Sequence, residues 1–429
     1  MQGLNPGLVF VPSTRFNPRN TASGPLQELR FLVNIMTGLP YIHSGSTFWK
    51  LAMFYATYFF VFGIYMPYWP LWLNDIGLTP VEIGWVLAGA FWIKVVVQPV
   101  VAHVADTTGR TKILTAVLMG MSAIGFAILS DLQSFWPIFL ITLITAACYQ
   151  PVLPIMESVI LNFAKIGNLR YGHIRLWGSV TFIIATLGGG WLFDGGRSDR
   201  IIWFLVVGMT LVSLCCLLIP NQAQFERTKS RIKTHAKLFL SPLFIFFLIT
   251  TGLIHISHSV LYGFGTLYWR SIGHSETIIG LFWSIGVLAE IFLFTVVGRH
   301  EKQVGYLFLL LLAAAAAVAR WPLLAIFDNQ IAIIVLQTLH GFTFGAAHLG
   351  AMAFLTKHVP KEISATGQSL YYTLIGGIFS GCMLPLAGKL YSDLSGSAFF
   401  IMSCFAGCSL ISLLVLSRIA RHDFKTIKG

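Results

Sequence analysis

The stretch WSIGVLAEIFLF, residues 283–294, holds a single ionisable group, Glu290, among apolar neighbours. Equally apolar stretches are interrupted by Lys94, Glu157, Arg320, His340 and His348. An unpaired charge in such surroundings is expensive, so each of these residues needs a partner, a water-filled cavity or a function. Two kinds of chemistry fit. A carboxylate or an imidazole can take up and release a proton, and a lysine or arginine can hold an anionic or hydroxylated ligand. An enzyme would want a clustered nucleophile or metal triad, and HxxxH or CxxC at suitable spacing is absent, so the sequence points to neither catalysis nor a metal site, and nothing calls for a cofactor.

The elements that carry these residues follow from composition. The chain has 429 residues, 56% of them hydrophobic and 10% charged, with mean hydropathy +0.77; soluble domains carry roughly 25% charged residues. Apolar runs of about 20 residues, the length a spanning helix needs, recur about twelve times. The expected spans are 49–73, 81–103, 113–130, 135–163, 174–194, 201–219, 242–268, 276–298, 304–327, 330–356, 366–391 and 396–418. The fold class is therefore an all-α membrane protein; alternating strands of a barrel are absent.

A net charge of +12 could suggest nucleic acid, but the basic residues sort by loop. With the N-terminus cytosolic, about 22 of the 28 Lys and Arg fall in cytosolic segments and about four outside, the positive-inside pattern. Both termini are then cytosolic, and RTKSRIKTHAK, residues 227–237, is a cytosolic joint that suits anionic lipid rather than nucleic acid. The six cysteines all lie inside expected spans and point to no disulfide. Residues 1–46 lack a signal-peptide core and read as a mobile cytosolic tail, with Met36 as an alternative start. The remaining expected units are a six-helix bundle over 47–219, the joint 220–240, a second bundle over 241–418 and a tail over 419–429.

The two bundles repeat. LWLNDIGLTPVEIGWVLAGAFWIK, residues 71–94, aligns without gaps on LYWRSIGHSETIIGLFWSIGVLAE, residues 267–290. Ile76-Gly77 meets Ile272-Gly273, Ile83-Gly84 meets Ile279-Gly280, and Lys94 meets Glu290. Lys94 thus falls at the depth of Glu290 in the opposite half, about eight to ten residues from either helix end and beyond easy snorkelling. It is a candidate for holding substrate in a cavity shared by the halves.

Depth counted at about 1.5 Å per residue puts Glu290 roughly 12 Å from the cytosolic edge, with His348 at the same level. Arg320 and His340 come out in the outer third. His340, Phe344 and His348 share one helical stripe. A layered cluster is expected, Glu290 with His348 and Arg320 with His340; a static ion pair of Glu290 with Arg320 is the alternative. Glu157 follows Pro151 and Pro154 in QPVLPIME and could reach Arg175, as a substrate clamp or as a gate latch. Near the midplane, Tyr55, Tyr58, Tyr149, Tyr262 and Tyr372 suit an aromatic or sugar-like substrate. Gln150 and Gln368 are uncharged candidates, and span seven adds His255 and His258. Tyr65, Tyr68, Trp69 and Trp72 are expected in an interfacial belt.

Parallel six-helix repeats resemble the major facilitator superfamily, as does AHVADTTGRTK, residues 102–112, which is similar to its GxxxDxxGRK-type loop with Ala102 in place of the first glycine. In that loop Asp106 can cap helix ends, Gly109 allows a tight turn and Arg110 can bond carbonyls. YATYFFVFGIYMPYWPLWLNDIGLTPVEIG (55–84), YGHIRLWGSVTF (171–182), GLFWSIGVLAEI (280–291) and LQTLHGFTFGAAHLGAM (336–352) resemble the 3-phenylpropionic acid permease family, related to lactose permease and the nucleoside proton symporters. The resemblance implies a twelve-helix carrier with proton-coupling roles for Glu290, Arg320 and His340 or His348. The expected function is proton-coupled uptake of a small organic acid such as an arylpropionate, by a monomer in a bacterial-type inner membrane. A sugar or nucleoside symporter, an exporter of drugs or metabolites, and a transporter-like sensor are the alternatives.

Overall fold

A computed structural model describes residues 46–166, 169–220, 236–299 and 304–426. Residues 1–45, and with them the expected tail and Met36, lie outside the described residues, as does most of the polybasic joint. Residues from Ser46 onward form one compact unit.

That unit is helical. Spans 1 to 6 are Ser46–Asp75, Pro80–Thr108, Thr111–Leu129, Phe135–Ala164, Tyr171–Phe193 and Asp199–Leu218. Spans 7 to 10 are Pro242–Ser271, Glu276–Gly298, Tyr306–Ile326 and Gln330–His358. The last apolar stretch, Ser364–Arg421, has 58 residues and breaks at Ser395, whose φ of 49° ends one helix at Leu394 before the next starts at Ala398. Spans 11 and 12 follow, completing twelve crossings among the described residues.

Local chemistry sets the boundaries. Thr79 and Glu82 form a reciprocal capping box ahead of Pro80, the Thr79 N–H donating to Glu82 Oε2 at 2.8 Å and the Glu82 N–H to Thr79 Oγ1 at 3.3 Å. Such a cap contributes about 1 kcal/mol. Gly109 ends span 2 at φ 64°, its N–H bonded to the Ala105 carbonyl, so the tight turn is where the loop motif placed it. The Arg110 side chain is exposed and bonds no carbonyl among the described residues.

The repeat shows in the backbone. Gly77 and Gly273 have φ of 101° and 97°. Each closes its helix with the same pair of bonds, Gly77 N–H to the Asn74 carbonyl and Leu78 N–H to that of Leu73, matched by Gly273 to Arg270 and His274 to Trp269, all at 3.0–3.1 Å. Only a residue without Cβ takes that φ cheaply, so the Ile-Gly matches mark structurally equivalent turns.

The halves meet backbone to backbone at the end away from Ser46. A Cβ built on Gly84 would stand 2.6 Å from the Leu384 carbonyl oxygen, and one on Gly388 would stand 2.4 Å from that of Pro80. In the other half's version, Gly280 faces the Thr186 carbonyl at 2.3 Å and Gly190 faces that of Glu276 at 2.4 Å. Polar contacts finish the seal. Thr186 and Ser284 hydroxyls are 2.6 Å apart, Thr277 donates to Asp194 at 2.7 Å, and Arg270 pairs with Asp75 at 2.6 Å.

The expected aromatic belt on span 1 is corrected. Tyr68 and Trp69 are fully buried, Trp72 is nearly so, and Tyr65 is half-buried. Trp69 stacks on Trp72 with centroids 5.0 Å apart, and the Tyr68 hydroxyl donates to the Thr186 carbonyl at 2.6 Å. Position near a helix end suggested an interface, but span 1 is central to its bundle and has little lipid-facing surface there.

Candidate functional site

Two of the helices lining the second half are not α-helical throughout. Span 10 contains a π-helical segment, Gly341–Ala346, and span 11 another, Leu374–Phe379. Such segments are rare and frequent at functional sites, because the wider turn re-aims side chains and loosens backbone bonding. Both segments border one cavity of about 70 Å³, whose wall includes Thr251, His255 and His258 of span 7, Thr343, Phe344 and His348 of span 10, and Tyr372 of span 11. That space holds a few waters or one small polar group.

Beside it lies a chain of hydrogen bonds around Arg320, which has no exposed surface. Arg320 can only donate, and it does so to His340 Nδ1 at 3.1 Å, to Thr343 Oγ1 at 2.9 Å and, through Nη2, to the Gln337 amide oxygen. His340 Nδ1 must therefore carry a lone pair, which puts the ring proton on Nε2, donating to Glu290 Oε1 at 2.9 Å. Thr343 accepts from Arg320 and can give its own proton to His258 Nε2 at 3.1 Å, while His258 Nδ1 donates to the Ile254 carbonyl at 2.9 Å. Gln337 anchors the group by donating to the Phe282 carbonyl at 3.2 Å. Both tautomers are thus assigned by the donors around them. A second proton on His340 would break its bond to Arg320, so Glu290 is the member of this chain with room for a proton.

The expected pair of Arg320 with His340 is present, and the other expected layer is corrected. Glu290 meets His340, not His348, and His340 stands between Glu290 and Arg320, so they form a three-member chain rather than a direct ion pair. Counting depth from helix ends failed because spans 8 and 10 do not share an origin. Gly341 packs on the Ala289 carbonyl and Gly345 on Leu293, a register that leaves the longer span 10 protruding past the end of span 8. His348 remains near, within Coulombic reach of Glu290 and Glu157, and stacks with Phe344 at 6.5 Å.

In the first half, Glu157 is taken by Tyr171, whose hydroxyl donates to it and lies 3.2 Å from that of Tyr55. The expected Glu157–Arg175 pair is absent; Arg175 instead lies over the Phe59 ring at 3.9 Å, with Nη1 buried and unbonded. Gly178 permits this, since a Cβ there would come 2.8 Å from Nη1. Tyr58 is buried and stacks on Tyr149 at 5.5 Å. Gln150 reaches the Ala90 carbonyl at 3.5 Å across the Pro151 kink, and Tyr262 stacks on His258 at 5.5 Å. Tyr372 is 43% exposed, and Gln368 is exposed and bonds Ser364. Asp106 is exposed in its loop. Lys94 is half-buried and forms no hydrogen bond or ion pair among the described residues; its neighbour Val95 packs on Gly377 of span 11, so the two halves touch here.

Sequence reasoning missed Gln337 and Thr343. The signal was present in QTLHGFT, where Gln337, His340 and Thr343 recur every three residues along one helix face. No cluster suited to a metal ion occurs among the described residues, and the cysteines are free.

Comparison with known proteins agrees with this architecture. Residues 48–402 match the MFS_1 like family. The probable 3-phenylpropionic acid transporter of Escherichia coli (strain K12) is 29% identical over 364 residues, covering 84% of this chain and 95% of that protein. The maltose permease of Geobacillus stearothermophilus is 25% identical over 379 residues, covering 86% and 94%. Among solved structures, the nucleoside transporter NupG superposes with a TM-score of 0.75 at 16% identity, covering 87% of this chain and 98% of that one. A bacterial homologue of the human lysosomal transporter Spinster, in an inward-facing and unoccupied conformation, gives 0.66 at 14% identity, covering 87% and 96%. Relatives and fold are those of transporters, not of enzymes.

Proposed function

The chain belongs to the MFS_1 like family, and from that premise we propose that it is a proton-coupled carrier that takes up a small organic acid, arylpropionate-like, by alternating access in a bacterial-type inner membrane. The observation that supports this most is the Glu290–His340–Arg320 chain. It is a half-buried carboxylate, bonded to a histidine whose tautomer is fixed, close to a cavity lined by His255, His258 and His348. Glu290 takes the proton, and neutralising it relaxes its hold on His340 and the packing of spans 8 and 10. With both termini cytosolic, the glycine seal closes the outer side of this conformer, and rocking of the two repeats exposes the site to each side in turn.

The acid lies where the halves face each other, its ring among Tyr55, Tyr58, Tyr262 and Tyr372, with Gln150 and Glu157 at the kink of span 4 and Lys94 supplying positive charge. His340, His348 and Arg320 tune the proton site. Asp106, Gly109, Arg110 and Arg175 belong to the cytosolic gate and its loop. The protein works as a monomer on a small molecule and protons, within lipid.

The test is uptake into proteoliposomes of labelled 3-phenylpropionate, maltose and nucleosides, with and without an imposed pH gradient. Accumulation of the acid should follow the gradient; uptake indifferent to it would overturn proton coupling. Glu290→Gln should retain exchange but lose accumulation, and normal coupling in that variant would remove Glu290 from its role.

A further inference from the structure

Three basic side chains near the cavity have no hydrogen-bond or ion-pair partner among the described residues: Lys94 from the first half, His255 and His348 from the second. His255 and His348 line the cavity on two different spans, and Lys94 precedes Val95, which packs on Gly377 beside the lining residues Ile375 and Gly376. The other histidines and the acid around the cavity are bonded. His258 uses both ring nitrogens, His340 uses both, and Glu157 is held by Tyr171. Lys94, His255 and His348 are only half-buried, so their donors keep accessible surface and are free to receive a ligand.

We propose that Lys94, His255 and His348 together form the seat of the substrate's carboxylate, a site built from both halves; this rests on the organic-acid reading above. The chemistry is matched in number and charge. An ammonium offers three donors and each neutral imidazole one, enough for the lone pairs of two carboxylate oxygens. Lys94 is the one formal charge among the three when the histidines are neutral, so the seat balances a monoanion and leaves a dianion uncompensated. A carboxylate at the histidines leaves the ring of the acid against Phe344 and Tyr372, which line the same cavity. Because the donors come from opposite halves, a seated anion also draws the halves together.

The experiment compares binding of 3-phenylpropionate with that of its neutral amide by the purified, detergent-solubilised full chain, using isothermal titration. Wild type should bind the acid and discriminate strongly against the amide. Lys94→Gln should weaken acid binding at least about 30-fold, the loss typical of truncating one member of a desolvated charge pair. His255→Leu and His348→Leu should each weaken it about tenfold, and the corresponding Gln variants, which keep an N–H donor, should recover most of that. Unchanged acid affinity in Lys94→Gln overturns the seat while leaving transport of an organic acid standing. Equal losses for acid and amide also overturn it, because they report a merely structural role. Wild type that ignores the acid but binds maltose or a nucleoside overturns this seat together with the organic-acid reading.

Discussion

Thr343 is the side chain through which span 7 senses Arg320. Its hydroxyl accepts from Arg320 and gives its proton to His258, so Thr343→Val removes two bonds at once while preserving shape. Leaving two buried groups unsatisfied costs about 1–3 kcal/mol each, although interhelical bonds in membranes often measure at the low end, near 0.6 kcal/mol. The expected outcome is a lower thermal midpoint in detergent, read by tryptophan fluorescence, with Arg320 shifted towards His340. A midpoint equal to wild type would show that water replaces the hydroxyl. The ionisable members of this group were legible in the sequence because a charge in an apolar run stands out. Their partners were not, since Gln337 and Thr343 are ordinary residues in helices, and only the packing of span 10 on spans 7 and 9 gives them a role. The same limit explains the wrong partners for Glu290 and Glu157: type and approximate depth can be read from spacing, whereas azimuth and axial offset are set by glycine contacts between helices.

At the scale of elements, the π-helical segment of span 10 and the glycine register against span 8 act together. Gly341 lets span 10 approach the Ala289 carbonyl, and that approach brings His340 within 2.9 Å of Glu290. In Gly341→Ala the new Cβ would stand 2.6 Å from that oxygen, so one helix must retreat. Overpacking of this kind costs about 1–3 kcal/mol. The larger effect should be functional: the Glu290–His340 bond lengthens, and gradient-driven accumulation falls more than substrate exchange does. A variant in which both fall equally would indicate general damage rather than a displaced proton site. Helix number, boundaries and the repeat were readable because apolar length and Ile-Gly turns are local signals, and the matched φ of Gly77 and Gly273 bears out the repeat. The π segments were not readable. GFTFGA has no composition that distinguishes it from an α-helical turn, and the extra residue is accommodated only because neighbouring helices hold it.

Across the whole molecule, closure at the end away from Ser46 rests on two pseudo-symmetric glycine crossings and on polar contacts with little dependence on neutral pH. The hydrogen bond from Thr277 holds the Asp194 carboxyl below its usual value. A depressed folded value means that the contribution of this contact is fully present above the ordinary aspartate value of roughly 3.9 and is lost only as pH falls through the lowered one. The Asp194–Thr277 contact should therefore stay constant from about pH 5 to 8, and any pH dependence of opening in that window must come from other groups, Glu276 paired with Arg270 at the same end among them. The glycines set the opposite lever. Gly84→Ala and Gly280→Ala place Cβ atoms 2.6 and 2.3 Å from backbone oxygens of the other half, where no side chain can bend away. Each should loosen one crossing, and the double variant should favour a conformer open at that end. Spin labels at Asp131→Cys and Asp328→Cys, on loops of opposite halves, would report this as a longer distance in the double variant, in a background with the six native cysteines replaced. The same variant should bind substrate from that side yet turn over slowly, because resealing is a step of every cycle. An unchanged distance distribution would mean that the halves absorb two methyl groups by local helix bending, and that the seal resides in the Asp75–Arg270 and Asp194–Thr277 contacts instead.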